Sequence, residues 1–375
     1  MLNLVAWVLW LASAQAQNQD RIFVEARLNG TAVRMAFDTG ADRVCLFKST
    51  AERLGLEMST VKTLFRRWDY FGTEQCTMDF WDISLKGRVR VLAIPPFLHP
   101  EEDGLIGWIP VANRILAFDA LNLQVRILQE LPQDARGWTR LRIESDWRIL
   151  ALKVPGQGGG GTILIDTGSA SGMGIPPAKW REWRQAHAGE PVTLDSLYTP
   201  AAGLFAREQA WASEFTLGPL ALTDVVIEQA DPWSLKSAAR GYMATLGLAA
   251  LKRLDFIVDG KHGMAYLRPK PRPSSHYEHN RSGAVFMPTA QSDDLVAQVV
   301  DGSPAASAGI RNGDVLLKIG ETQMANWRTD TSQTARVFWQ RPAGTRVALT
   351  LQRSNETFKT TVTLRDILAP RTNPP

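Results

Sequence analysis

The chain has 375 residues, of which 45% are hydrophobic and 21% charged, values ordinary for a globular protein with room for two or three domains. The formal net charge is +4, and the 42 basic residues are spread along the chain without a dense run. This distribution favours a weakly basic surface and argues against a nucleic-acid partner.

The first predicted element is an apolar segment at the N-terminus. Residues 4–12 are too few to span a bilayer, and the small-x-small triplets Ala12-Ser-Ala14 and Ala14-Gln-Ala16 follow them. The pattern predicts a signal peptide over residues 1–16 and an exported protein, periplasmic or secreted, with no stable membrane span after cleavage. No Lys or Arg precedes the apolar run, so a retained N-terminal anchor is the alternative.

Two long segments of the chain repeat one another. In the first copy, two predicted strands separated by a Gly turn lead into Asp38-Thr39-Gly40. In the second copy, the same order of elements leads into Asp166-Thr167-Gly168-Ser169. Gly30 and Gly158 each lie eight residues before the Asp of their own copy. Two matches in the same predicted context indicate a duplicated unit rather than two chance tripeptides.

The repeat continues downstream of both Asp-Thr-Gly motifs. An apolar residue precedes Gly107 in one copy and Gly247 in the other, and each glycine lies twelve residues before an Asp in a predicted hairpin, Asp119 or Asp259. Residues 21–132 and 139–268 are therefore predicted to be two copies of one mainly-β unit.

The residue types of this motif point to a specific chemistry. Gly lets the chain turn tightly, Thr can hydrogen-bond to the opposite loop, and Asp supplies a carboxylate. Two carboxylates about 3 Å apart cannot both ionise and share one proton. The ionised member can then act as general base on a water while the protonated member donates to a substrate carbonyl. Such a site needs no metal and no cofactor, and we expect neither.

Residues 21–268 resemble the pepsin-like and retropepsin-like aspartic peptidases. Asp38-Thr-Gly-Ala-Asp42 is similar to the retroviral form of the motif, and Asp166-Thr-Gly-Ser169 to the pepsin form. The resemblance implies a mainly-β fold of two pseudo-symmetric, acid-protease-like β-barrel lobes with the cleft between them. The glycines at 107 and 247 match the family's second signature, which packs behind the catalytic turn.

The resemblance also implies roles for individual residues. Asp38 and Asp166 would be catalytic, supported by Gly40 and Gly168 in the two turns. Thr39 and Thr167 would form interlocking hydrogen bonds between the lobes. Ser169 could donate to Asp166 and favour its ionised form, which Ala41 cannot do for Asp38.

The family covers its substrate with a hairpin flap. The first-lobe candidate spans residues 68–73, with Tyr70 and Gly72 near the tip, and the second-lobe counterpart spans residues 198–203. The alternative is a structural hairpin with a packed tyrosine.

The chain changes character after the second repeat. Residues 269–281 form a Pro-rich linker, and residues 282–366 resemble bacterial PDZ domains, small α+β barrels, through Gly302-Ser-Pro-Ala-Ala306 and Gly313-Asp314. A PDZ domain binds an extended peptide or a C-terminus as an added strand. The resemblance places the peptide-binding residues at Gly283, Ala284, Val285 and Phe286, with a groove helix near residues 331–339 and a tail at 367–375. A PDZ domain that only packs on the peptidase is the alternative.

Two cysteines, Cys45 and Cys76, are too few for a disulfide framework or a zinc site. Both fall in the first lobe, where they are either one disulfide, which export permits, or two buried thiols.

Together these patterns predict an aspartic endopeptidase that hydrolyses peptide or protein substrates, with a PDZ domain for substrate recruitment or regulation. The alternative is a non-catalytic adaptor that binds peptides through the PDZ domain and carries an inactive protease-like cleft.

Overall fold

The computed structural model describes residues 21–61, 70–93, 101–144, 148–156, 160–199, 203–230, 242–270, 277–289, 292–327 and 336–368. The expected signal peptide, the first glycines of the Gly158 turn and most of the expected groove helix lie outside these residues. Within them the chain is mainly β, with two barrel-like lobes followed by a smaller β-rich module, and the predicted fold class is confirmed.

The first lobe is a closed barrel. Its elements are β1 (Phe23–Leu28), β2 (Thr31–Phe37), β3 (Cys45–Phe47), α1 (Lys48–Arg53), β4 (Met58–Val61), β5 (Tyr70–Phe80), β6 (Ile83–Leu92), β7 (Gly104–Ile106), β8 (Ile115–Asp119) and β9 (Gln124–Leu128). Six strands follow the order β1-β2-β7-β3-β6-β5, and β5 pairs back with β1 to close the ring. Along β1 the side chains of Val24, Ala26 and Leu28 are buried while Glu25 and Arg27 are exposed, as the two-residue period of a strand requires.

The second lobe repeats the strand order of the first, but no pairing between its described strands closes a ring. Its elements are β10 (Thr139–Ile143), β11 (Ala151–Val154), β12 (Gly161–Ile165), β13 (Met173–Ile175), α2 (Pro177–Ala186), β14 (Val192–Thr199), β15 (Gly203–Leu217), β16 (Leu220–Gln229), β17 (Tyr242–Leu246), α3 (Leu248–Leu251), β18 (Leu254–Asp259) and β19 (Met264–Pro269). Strand β2 pairs parallel with β7 in the first lobe, and β12 pairs parallel with β17 in the second. In each lobe, the strand that ends at the Asp-Thr-Gly turn therefore pairs with an equivalent strand.

The lobes share a sheet and a core. Strand β8 pairs antiparallel with β18, which places Phe118 opposite Phe256, with ring centroids 4.9 Å apart. The two strands lead into related turns, because Asp119 accepts the amide of Asn122 and Asp259 accepts the amide of His262. One hydrophobic cluster runs from the first lobe into the second, so the pair of lobes packs as one body.

The C-terminal module has its own hydrophobic core. Its elements are β20 (Ala284–Met287), β21 (Val296–Val299), α4 (Pro304–Ser307), β22 (Val315–Ile319), β23 (Thr322–Gln323), α5 (Arg336–Trp339), β24 (Arg346–Arg353) and β25 (Glu356–Thr363). Ser303 caps α4 by accepting the amide of Ala306 at 3.2 Å, as serine commonly does at the start of a helix. None of the helices described here is long and apolar enough to cross a membrane.

The end of the described chain returns to the second lobe. Ile367 and Leu368, which the sequence assigns to the tail, are buried against Trp211 and Val226. His279 Nε2 accepts the amides of both residues, at 3.1 and 3.2 Å. The linker before the PDZ-like module and the segment after it are thus joined by hydrogen bonds.

The two cysteines do not form a disulfide. Both are free and buried, and they belong to different packing clusters: Cys45 in β3 contacts Phe47 and Leu92, whereas Cys76 in β5 belongs to the main core. Burial raises the pKa of the Cys45 thiol to about 12, which keeps it protonated and unreactive. Of the two alternatives, the structure supports the buried thiols.

Candidate active site

The two Asp-Thr-Gly turns occupy equivalent positions in the two lobes. Asp38 follows β2, and its amide donates to the carbonyl of Ile106 at the end of β7. Asp166 follows β12, and its amide donates to the carbonyl of Leu246 at the end of β17. Both bonds measure 2.9 Å, so each parallel strand pair aims one carboxylate at the boundary between the lobes.

The two threonines lock the turns together. The amide of Thr39 donates to the hydroxyl of Thr167 at 3.1 Å, and the amide of Thr167 donates to the hydroxyl of Thr39 at the same distance. Each hydroxyl then donates across the lobe boundary, Thr39 to the carbonyl of Ile165 at 2.6 Å and Thr167 to the carbonyl of Phe37 at 2.7 Å. Both threonines are fully buried, so this interlock has no competition from water.

Each carboxyl group lies against the glycine of the opposite turn. A methyl group on Gly168 would lie 2.3 Å from Cγ of Asp38, and one on Gly40 would lie 2.7 Å from Cγ of Asp166. No side chain fits at either position, because its Cβ would lie closer to the carboxyl carbon than packed atoms lie in proteins. The carboxyl groups of Asp38 and Asp166 also hydrogen-bond to each other, and both residues keep part of their surface open to solvent.

The pair is asymmetric in its protonation. Burial raises the pKa of both carboxyls, and the negative charge of Asp38 further raises the pKa of Asp166, to about 8. Oδ1 of Asp38 accepts the amides of Gly40 and Ala41 at 2.9 and 3.1 Å, which favours its ionised form. We therefore assign the shared proton to Asp166 and the charge to Asp38.

The hydroxyl of Ser169 has a different partner from the expected one. Its oxygen lies 2.6 Å from Oγ of Ser171 and accepts the amide of Ser171 at 3.4 Å. Among the groups that set the pKa of Asp166, those that favour its charged form are Arg21 and the amide of Gly168. Either hydroxyl can be the donor in this contact, and the expectation that Ser169 donates to Asp166 and favours its ionised form stays a prediction.

The second signature lies behind the catalytic turns, as the resemblance implies. A methyl group on Gly107 would lie 2.5 Å from the amide nitrogen of Arg43, and one on Gly247 would lie 2.5 Å from the carbonyl oxygen of Ser171. The backbone of each glycine thus packs directly on the turn that follows its own catalytic Asp, which only glycine permits.

A cation near the carboxyl pair was not predicted from the sequence. Arg21 donates through its guanidinium to the carbonyl of Gly168, and its Nε lies 3.2 Å from Glu102. Its charge lowers the pKa of both Asp38 and Asp166. Sequence reasoning placed Arg21 only at the start of a strand, since nothing local indicates that it reaches the opposite lobe.

The flap stays a prediction. Strands β4 and β5 form an antiparallel hairpin, but the connecting residues 62–69 and the side chain of Tyr70 lie outside the described residues. Gly72 lies within β5, opposite Ser59 on one side and Arg90 on the other, and so it is not at the tip. In the second lobe β14 and β15 form the corresponding hairpin, whose residues 200–202 are not described.

The residues predicted to bind a peptide in the PDZ module are buried. Ala284 and Phe286 belong to the core of the module, whereas Val285 packs with Leu194 of the second lobe. Gly283 has a positive φ of 71°, as a tight loop before the strand requires.

The loop before β20 already has hydrogen-bond partners within the chain. The amide of Ser282 donates to Oδ1 of Asn280 at 2.9 Å, and the amide of Ala284 donates to Oγ of Ser282 at 3.1 Å. Nδ2 of Asn280 donates to the carbonyl of Leu194 at 3.0 Å, and Thr193 donates to the carbonyl of Asn280 at 2.6 Å. This loop therefore fastens the module to the second lobe.

Comparison with known families agrees with these two units. A family model described as aspartyl protease matches residues 24–108, which contain the first Asp-Thr-Gly turn and Gly107. A PDZ-domain model matches residues 295–353. No curated protein matches the chain. The chain therefore contains a retropepsin-like aspartyl protease domain and a PDZ domain.

Proposed function

We propose that this protein is an aspartic endopeptidase that hydrolyses peptide bonds with a water molecule activated between Asp38 and Asp166. One observation carries the proposal: two carboxyls from different lobes hydrogen-bond to each other at a solvent-accessible position, on turns locked by the Thr39–Thr167 interlock. A purely structural role gives no reason to bring two carboxylates together, because their proximity raises the free energy of the ionised pair.

The reaction follows from the protonation of the pair. Asp38, ionised, takes a proton from water as the water oxygen attacks the peptide carbonyl carbon, and Asp166 gives its proton to the carbonyl oxygen. When the tetrahedral intermediate collapses, the C–N bond breaks. The leaving nitrogen takes the proton held by Asp38, and Asp166 recovers a proton from the intermediate's hydroxyl group. Both carboxyls then return to their starting states.

Cleavage of a peptide library by the purified protein, from acidic to neutral pH, tests this proposal. We expect cleavage by the wild type and a loss of at least about 10³-fold in Asp38→Asn and Asp166→Asn, with unchanged circular dichroism. Full activity in either folded variant would overturn the proposal. Binding of peptides without cleavage by the wild type would instead favour the adaptor alternative.

We further propose that the PDZ domain, docked on the second lobe, regulates the peptidase or recruits its substrates. Support comes from Asn280, which hydrogen-bonds to the second lobe, and from Val285 and Met287, which pack against Leu194 of that lobe. Peptide-binding measurements on the full chain and on variants of this contact distinguish regulation by docking from recruitment by a freely accessible groove.

Export of the protein is also a proposal. It rests on the apolar segment at residues 4–12 and on the small residues Ala14 and Ala16 after it. Cell fractionation followed by N-terminal sequencing tests it: a new N-terminus after Ala14 or Ala16 is expected, whereas an intact membrane-bound chain would indicate the retained anchor.

A further inference from the structure

A buried histidine joins the linker to the end of the described chain. His279 is 2% exposed, and its Nε2 accepts the amides of Ile367 at 3.1 Å and Leu368 at 3.2 Å. Its Nδ1 lies 2.9 Å from the carbonyl oxygen of Tyr277. The ring thus bonds to the backbone on both sides, within the linker and to the C-terminal segment of residues 365–368.

The backbone partners fix the protonation state of the ring. A backbone amide can only donate a hydrogen bond, and a backbone carbonyl can only accept one. Nε2 of His279 therefore carries no proton, whereas Nδ1 carries one and donates it to the carbonyl of Tyr277. The imidazole is neutral in this arrangement, and a proton on Nε2 would displace both amides.

The segment held by these bonds packs on the second lobe. Ile367 and Leu368 share an apolar cluster with Trp211 of β15 and Val226 of β16. A charged ring at this buried place would lose its hydration, and its new N–H would point at two backbone N–H groups, which are donors as well. The attached arrangement therefore disfavours the protonated ring.

The charged groups around His279 nearly balance one another. On the elements packed against the ring they are Asp195, Asp224, Glu228, Glu278, Asp366, Arg207, Arg253, Arg281 and Arg365. Asp366 pairs with Arg281. The guanidinium of Arg207 lies 3.2 Å from the carboxylate of Asp195 and 2.6 Å from that of Glu228. Glu278 is exposed, so water screens its charge. The ionisation of the ring therefore follows mainly from its burial and its backbone partners.

We propose that His279 is a pH-sensitive switch: protonation of its ring releases Ile367 and Leu368 from the linker and from the second lobe, and so removes one attachment of the PDZ domain. Histidine suits this role because its ordinary pKa, near 6.5, lies between neutral and mildly acidic pH. The inference goes beyond the proposed peptidase function and does not depend on it.

The sign and size of the effect follow from proton binding. The attached form holds the ring neutral, whereas the released ring can bind a proton with the ordinary pKa of histidine, near 6.5. Below that value the released form binds more protons than the attached form, so its share rises as the pH falls. The ratio of released to attached form should be about tenfold higher at pH about 5.5 than at pH about 7.5.

Hydrogen exchange of the Ile367 and Leu368 amides, followed by NMR on the full chain, tests the switch. In the wild type their protection factors, which are corrected for the intrinsic effect of pH on exchange, should fall about tenfold from pH about 7.5 to about 5.5. His279→Gln places an amide oxygen near the position of Nε2. It can accept both amides but does not titrate, so its protection should not change with pH. His187→Gln, which removes an exposed histidine, is the matched control and should behave as the wild type.

Equal protection of the two amides at both pH values in the wild type would overturn the inference, as would the same tenfold loss in His279→Gln. If that variant leaves the amides unprotected at both pH values, the ¹⁵N shifts of His279 in the wild type decide. A titration midpoint below the ordinary value, about 6.5, supports the switch, and a midpoint at or above it overturns the switch. None of these measurements uses peptide cleavage, so failure of the switch and failure of the proposed function are told apart.

Discussion

Thr39 and Thr167 exchange hydrogen bonds reciprocally, each amide donating to the other's hydroxyl at 3.1 Å across the boundary between the lobes. The interlock holds the two catalytic turns at one relative position without using the carboxyls themselves. The relative position of Asp38 and Asp166 thus depends on Thr39 and Thr167.

Replacing Thr167 by valine should loosen the site and destabilise the protein. The amide of Thr39 and the carbonyl of Phe37 would lose their buried partner, which costs about 2–3 kcal/mol of unfolding free energy. Urea denaturation measures this, and peptide cleavage should fall with it. Thr31→Val, at an exposed position in β2, is the control and should change stability by less than about 0.5 kcal/mol. Equal stability of the two variants would contradict a role for the interlock.

Removing the carboxyl of Asp166 should make the protein more stable at neutral and alkaline pH. Its pKa is about 8 in the folded state, above the ordinary value of an unfolded Asp, near 3.9. Between these values the folded state binds more protons than the unfolded state, so wild-type stability falls as pH rises.

The variant Asp166→Asn has no carboxyl at this position, so its stability does not fall with rising pH in this way. At pH about 8 we expect its free energy of unfolding, measured with denaturant, to exceed that of the wild type by about 1–2 kcal/mol. The difference should shrink toward pH about 4. A variant that is less stable than the wild type by the same amount at both pH values would show that the carboxyl pair is not strained.

Neutralising Arg21 should move the activity profile to higher pH. Its charge lowers the pKa of both Asp38 and Asp166, so Arg21→Gln should raise both values and shift the acid and alkaline limbs upward together. The pH dependence of kcat/KM measures the shift. Arg27→Gln, on the exposed face of the following strand β1, should leave both limbs in place. A downward shift in Arg21→Gln would contradict this electrostatic role.

The Asp-Thr-Gly turns were predictable because their information is local and duplicated. Asp38 and Asp166 each carry the same tripeptide in the same strand context, and Gly107 and Gly247 follow at corresponding positions. The sequence pattern thus places the two carboxyls and the glycines behind them, and the structure brings these residues together.

The surroundings of the turns were not predictable in the same way. Arg21 reaches the site across the lobe boundary, so it leaves no local pattern in the sequence. The Ser169 expectation came from the pepsin form of the motif. It stays a prediction, and the contact of Ser169 with the hydroxyl of Ser171 could not be read from that motif.

The last prediction concerns the attachment of the PDZ domain to the second lobe. Asn280 is buried, and its side chain donates to the carbonyls of Leu194 and Ala284 and accepts from the amide and the hydroxyl of Ser282. In Asn280→Ala these buried groups lose their partners, at a cost of about 2–3 kcal/mol or more. We expect the PDZ domain to detach more readily, because the substitution removes bonds to both sides of the contact.

Limited proteolysis by an added protease measures detachment. We expect cleavage between residues 270 and 277 to be about tenfold faster or more in Asn280→Ala than in the wild type. Asn355→Ala, at an exposed turn of the same domain, is the matched control and should be cleaved at the wild-type rate. If both variants are cleaved at that rate, the contact through Asn280 does not hold the domain in place, and recruitment by a freely moving PDZ domain becomes the better account of its role.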